Sequence, residues 1–259
     1  MVPENSLLYE FPCNEKYRTY LRLEALFRRF DWFCEQDSPV AHQAAISALF
    51  DLLDATARSD LRHEMIQEME RQRQRLMQLK TSDNGFSELD AQTLDQLEKT
   101  IYTVANAVGR TGQSVRENQW LQLVRTRQAI VGGTCEFDLP QFHHWMNRPP
   151  QTRREELLSY GTTLEPIREG SHLLLELLRQ NSSIKTYTCE KGNFQQSMTH
   201  CQNIPLVQIW LPGDTNIIPE VSVNKFMLWV RFSELDLNNK PHPIREGSLT
   251  FYMGMCSFV

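Results

Sequence analysis

The chain has 259 residues, of which 23% are charged and 41% apolar, and its formal net charge is −5. That balance excludes a disordered chain and argues against a general nucleic-acid binder, which shows basic excess over a whole domain. The length permits one large domain or two modest ones, with a core that needs no metal or disulfide staple. Six cysteines (Cys13, Cys34, Cys135, Cys189, Cys201 and Cys256) form no C-x-x-C pair and read as buried, reduced thiols. The opening MVPENSLLYEF lacks a basic region followed by an apolar run, so no signal peptide is expected. The apolar run Leu173–Leu178 is interrupted by Glu176 and is too short to span a bilayer, so the expectation is a cytoplasmic protein without membrane insertion.

In chain order, LLYEFPCNEK is an extended lead-in closed by Pro12, with Asn14 placed to cap the helix that follows. Tyr20, Leu23, Leu26, Phe27, Phe30 and Cys34 recur there at helical spacing. Ser38-Pro39 starts a second helix whose apolar face is Ile46, Leu49, Phe50 and Leu53. A third runs from Leu61 to Lys80, with its stripe interrupted at Gln72 and Arg73. Glu64, Glu68, Arg71 and Arg75 follow on its flank, read as a solvated face with a basic contact surface as the alternative. SDNGFS is a turn, and Ser87 caps a fourth helix carrying Leu89, Leu94, Leu97, Ile101, Val104 and Val108, ended by Gly109 and Gly112. Four long helices joined by short polar loops predict an antiparallel bundle.

A fifth helix is expected over Val115 to Ile130, then a break at Gly132–Gly133, a strand over Thr134 to Phe137, and a short helix PQFHHWMN that Asp138 caps. RREELLSY and LEPIREGSHLLLELLRQ return to helical spacing. From Ile184 the period changes to two, in short runs separated by turn residues, which predicts an antiparallel sheet or sandwich. In FMLWVRF, Phe226, Leu228, Val230 and Phe232 share one face and Met227, Trp229 and Arg231 the other. A Trp and an Arg on one strand face can grip a peptide, or form a half-exposed sheet face. The fold class is therefore α+β, an N-terminal helical bundle with a C-terminal antiparallel β-sheet domain. The expected organisation is a helical domain over 1–115, joined by helices of about 150–181, and a β-rich domain over 116–149 and 183–259.

Charge is distributed unevenly. Between Arg110 and Arg154 seven arginines face only Glu117, Glu136 and Asp138, whereas residues 1–109 carry twelve basic against eighteen acidic side chains. A cationic junction of this kind is a candidate docking surface for an anionic partner. No G-x-x-x-x-G-K-[ST] loop, strand-linked G-x-G-x-x-G or G-x-S-x-G elbow is present. His143 and His144 are adjacent and point about 100° apart on a helix, so they cannot chelate one metal unaided. No catalytic residue, cofactor or metal is expected.

FDLPQFHHW after the glycine pair, the RxNxWLxLVRxR helix before it, the early CNEKYRTYLRLE and the late NKFMLWVRF together resemble the ZapD family of bacterial division proteins. The resemblance implies a non-enzymatic homodimer that binds the C-terminal tail of FtsZ at mid-cell and bundles its filaments. The family's basic surface maps onto Arg116, His143 and Arg231, with Lys225, Arg125 and Arg127 outside them and Trp229 beside Arg231. Gln119 and Met227 stand where that pattern would offer further arginines. Two other readings compete: an enzyme for a small molecule or nucleotide, with a cleft between the helical and β parts, and an RNA-binding module using Trp229 and Arg231. The missing motifs disfavour the first, and the absent RNP-like or KH-like signature and the acidic total disfavour the second.

Overall fold

The computed structural model describes residues 2–58, 60–81, 87–198 and 204–258. The chain forms two compact units, residues 1–19 with 175–259, and residues 20–174. The protein is α+β, as its sequence periodicities predict. Residues 116–149, which the sequence reading groups with the β-rich part, fall within 20–174 and are helical or turn-forming. The expected turn at residues 82–86 and the thiol of Cys201 lie outside the described residues.

The helical unit is built from α1 (Glu15–Glu35, from residue 20 onward), α2 (Pro39–Ala55), α3 (Leu61–Thr81), α4 (Glu88–Asn106), α5 (Gln113–Glu117), α6 (Gln119–Gln128), α7 (Pro140–Met146), α8 (Pro150–Gly161) and the first part of α9 (Glu165–Gln180). Asn14 Oδ1 accepts from the Tyr17 N–H at 3.1 Å and so caps α1. Pro39 opens α2, although Ser38 at its N-cap makes no side-chain cap bond. This helix is the centre of the unit, burying Ala45, Ile46, Ala48, Leu49, Phe50, Leu52 and Leu53. Ser87 and Asp90 form the reciprocal capping box that starts α4.

The interruption in the α3 stripe is resolved by a polar pair rather than by exposure. Gln72 is buried and donates to Glu68 Oε1 at 2.8 Å, while Arg71 donates to Glu68 Oε2 at 3.0 Å. Glu68, read as part of a solvated flank, is therefore a buried and satisfied carboxylate.

Four local expectations fail. The helix read as continuous over 115–130 breaks at Asn118, whose side chain accepts from the Leu121 N–H at 3.1 Å and starts α6. Thr134 to Phe137 is not a strand. It lies in successive tight turns (Gly133 N to Ile130 O, Cys135 N to Gly132 O, Asp138 N to Cys135 O), entered through Gly132 at φ +69°. Its Phe137 is exposed, as is Cys135, contrary to a buried thiol there. The α7 N-cap is Leu139, not Asp138.

The second unit is an eight-stranded, wholly antiparallel sheet: β1 (Ser6–Pro12), β2 (Ser182–Glu190), β3 (Asn193–Ser197), β4 (Leu206–Pro212), β5 (Ile217–Val223), β6 (Met227–Leu235), β7 (Pro241–Pro243) and β8 (Ser248–Cys256). The spatial order is β1-β4-β8-β2-β3-β6-β5, with β7 beside β6. β2 and β3 meet only at Glu190↔Asn193, through a two-residue turn in which Lys191 (φ 52°) and Gly192 (φ 68°) are both left-handed. Phe232 on β6 and Phe251 on β8 have ring centroids 4.7 Å apart. In a flat sheet three strand spacings would separate them by about 14 Å. The sheet therefore folds on itself at the β2–β3 corner, around an aromatic core that includes Tyr187 and Phe194. The last turn of α9 is tied to this sheet by Arg179, which donates to both oxygens of Glu10 at 2.9 and 2.6 Å. Burial pushes the Cys13 and Cys256 thiols up to about 11, as inert core cysteines require.

Candidate functional site

The seven arginines between residues 110 and 154 do not form one surface. Arg153 is buried and acts as an internal clamp. It donates Nε to His42 Nδ1 at 3.0 Å, Nη2 to Asp37 O at 2.8 Å, and Nη1 to Met146 O at 3.0 Å and to Arg148 O. Burial and the adjacent Arg153 charge lower the His42 pKa, keeping the imidazole neutral so that it can accept. Arg154 donates to Cys34 O and Glu35 O at 2.9 and 2.8 Å, and to Asp37 Oδ1 at 2.7 Å. Arg148 pairs with Glu156 at 2.6 Å, and the other oxygen of that carboxylate accepts from Trp145 Nε1 at 2.7 Å.

Three others converge on the C-terminal end of α2, where unpaired carbonyls attract cations. Arg116 donates to Leu53 O and, at 3.5 Å, to Thr111 O. Arg125 holds both oxygens of Asp54 at 2.6 and 2.7 Å, and Arg110 reaches Ala57 O at 3.4 Å. Burial is the main cause of a lowered Arg116 pKa, with the Arg110 charge second. Beside Arg110 and Glu117 opens a cleft of about 410 Å³, also lined by Arg62, Gln113 and Thr162.

Of the remaining site residues expected in this unit, Arg127 lies 3.9 Å from Asp138 and His143 Nδ1 lies 3.8 Å from Glu136, both at the surface. His143 faces outward because Phe142 and Trp145, on the opposite side of α7, stack with ring centroids 5.8 Å apart. Gln119, the first residue of α6, is exposed.

Lys225, Trp229 and Arg231 lie in the β unit. Leu228, Val230 and Phe232 point into the core, so Trp229 and Arg231 share the outer face of β6, as the alternation predicts. Phe226, expected on the inner face, precedes the strand and is exposed. Trp229 is flanked by Gln195 of β3 and Ser222 of β5, and Arg231 by Asn193 and Glu220. Arg231 Nε donates to Glu220 Oε2 at 2.9 Å. Lys225 Nζ sits 4.7 Å from the Phe226 ring centroid, and Met227 is half-buried at the start of the strand.

The expected residues thus divide between the units: Arg116, Arg125, Arg127 and His143 on one, Lys225, Trp229 and Arg231 on the other. Sequence reasoning missed Arg110 and Asp54. The signal available was that a helix ending near residue 55 needs cations at its C-terminus, and none lies in its own last turn.

Among the described residues no group of His, Cys, Asp and Glu is arranged to hold a metal, and no helix is long and apolar enough to cross a membrane. A helical unit and an antiparallel β unit, each with guanidinium groups at its surface, define the class as α+β. The family profile described as ZapD, cell division protein, matches residues 21–231. Cell division protein ZapD of Cupriavidus metallidurans is 36% identical over 253 residues, covering 97% of this chain and all of that protein. Its namesake in Bordetella pertussis is 38% identical over 251 residues, covering 97% and 98%, and that of Ralstonia pickettii is 35% identical over 253. The chain belongs to the ZapD family of cell division proteins.

Proposed function

We propose that this division protein is not an enzyme, and that at mid-cell it binds the anionic C-terminal tail of FtsZ. As a homodimer, it would then cross-link and bundle FtsZ filaments. The observation that carries the reading is the convergence of Arg110, Arg116 and Arg125 at the end of α2, in a molecule otherwise tilted toward negative charge. Arg127 extends the cationic character of that unit, His143 offers a further polar contact, and Lys225, Trp229 and Arg231 supply a second surface on the other. Arginine suits the task because its planar fork pairs with a carboxylate through two parallel hydrogen bonds.

The physical logic is one of weak contacts multiplied. A flexible tail held by surface ion pairs binds loosely and exchanges quickly. A two-fold dimer presents each surface twice to a polymer that offers many tails, so the second engagement is effectively intramolecular. The test is anisotropy with a labelled FtsZ tail peptide, paired with co-sedimentation of FtsZ filaments with and without their tails. Salt-sensitive binding should be lost in Arg116→Glu and Arg231→Glu. If both variants bind as the wild type does, the site lies elsewhere on the molecule.

A further inference from the structure

Among the described residues three arginines of the expected surface have carboxylate partners from the chain itself: Asp54 for Arg125, Asp138 for Arg127 and Glu220 for Arg231. Asp54 stands out because it sits inside the Arg110–Arg116–Arg125 cluster. Its two oxygens both accept from a single nitrogen, Arg125 Nη2, while Arg125 Nε and Nη1 have no hydrogen-bond partner among the described residues. A guanidinium presents its donors as forks along its edges. The two forks of Arg125, Nε with Nη2 and Nη1 with Nη2, share the nitrogen that Asp54 holds, so Asp54 at that one corner leaves neither complete for another carboxylate. The Arg125 guanidinium lies over Phe50 at 5.6 Å from the ring centroid, so much of its ordering is already in place. The Asp54 side chain is 61% exposed, and a pair this exposed adds little to stability, which makes its exchange for an external carboxylate nearly neutral.

We infer that Asp54 is a resident competitor: it occupies Arg125 in the free protein and gives way to a carboxylate of an acidic peptide, so that Asp54 sets the affinity of a subsite made by Arg110, Arg116 and Arg125. The inference rests on the anionic-tail reading above and adds to it Arg110 as a contact and Asp54 as the residue that limits binding. On exchange Asp54 passes to solvent, the incoming carboxylate takes Nη2 together with Nε or Nη1 as a complete fork, and no proton moves.

The experiment measures anisotropy of a labelled FtsZ tail peptide on the full chain at several salt concentrations. It compares wild type, Asp54→Asn, Arg125→Gln and the double variant. Asp54→Asn should tighten binding roughly two- to fivefold and steepen its salt dependence. The double variant should bind as Arg125→Gln does. Asp51→Asn, one turn earlier on α2 and facing Arg29 at 3.7 Å, removes the same charge without touching Arg125 and should leave the affinity unchanged. Asp54→Asn should also keep the wild-type melting profile, because an acidic group at a helix C-terminus does not stabilise it. If the peptide binds but Asp54→Asn has no effect, weakens it, or matches Asp51→Asn, the inference fails and the tail reading stands. If neither wild type nor Asp54→Asn binds the peptide, both fail.

Discussion

Arg153 and Arg125 lie only 28 positions apart in the same arginine-rich stretch, yet the structure gives them opposite duties. Arg153 is buried and surrounded by backbone carbonyls and a neutral histidine, whereas Arg125 rests on a ring at the surface and holds one exposed carboxylate. Acceptors fixed in the backbone cannot leave, so Arg153 is part of the fold. A carboxylate on an exposed side chain can leave, as the proposed exchange at Arg125 requires. On the proposed reading, the mobility of the acceptor, rather than the local density of charge, separates Arg125 from Arg153.

The comparison is most easily broken at Arg153. Arg153→Met leaves the carbonyls of Asp37, Met146 and Arg148 without their donor in a buried setting, and should cost about 3–5 kcal/mol. The urea midpoint reads this directly. A midpoint equal to the wild type's would mean that the clamp contributes nothing and that Arg153 is as expendable as a surface residue.

Next in size is the pH response of the same clamp. Burial first, and Arg153 second, hold the His42 pKa below its ordinary value. A depressed histidine binds fewer protons folded than unfolded, so its contribution is fully present above the unfolded value of about 6.5 and is lost as pH falls below it. Each pH unit in that window removes up to about 1.4 kcal/mol. Urea midpoints from pH 8 to 5 should fall, and His42→Gln, whose amide oxygen can still accept from Arg153, should fall less. Equal slopes in the two proteins would show that carboxylates alone set the acid limit.

Much of the fold was legible because helical and strand periods are carried by apolar residues, and burial obeys them. Leu228, Val230 and Phe232 point inward as their alternation requires, and Asn14 and Ser87 cap the helices they precede. Asn118 was not legible as a break, since an asparagine between two helical runs reads as neutral until its side chain is seen to bond Leu121 N. Thr134 to Phe137 had the composition of a strand but no neighbouring strand to pair with. The candidate site was legible only in part. Sequence counts charges, but whether a guanidinium meets a carbonyl or a carboxylate depends on contacts such as Arg153 with Asp37, 116 positions apart.

Arg116 lies between the two extremes and sharpens the contrast. It is half-buried and donates to Leu53 O, a carbonyl at the end of α2, yet it belongs to the same electrostatic cluster as Arg110 and Arg125. Arg116→Gln should lower stability by about 1–2 kcal/mol and weaken tail-peptide binding as well. Arg231 should separate the two readouts. Its partner Glu220 is half exposed on the neighbouring strand, so Arg231→Gln should change stability by less than about 0.5 kcal/mol. Binding of the peptide should nevertheless weaken several-fold, and by less at high salt, where the surface field is screened. If Arg231→Gln destabilised the protein as much as Arg116→Gln does, the Glu220 pair would belong to the fold, and exchangeability could not be judged from acceptor type.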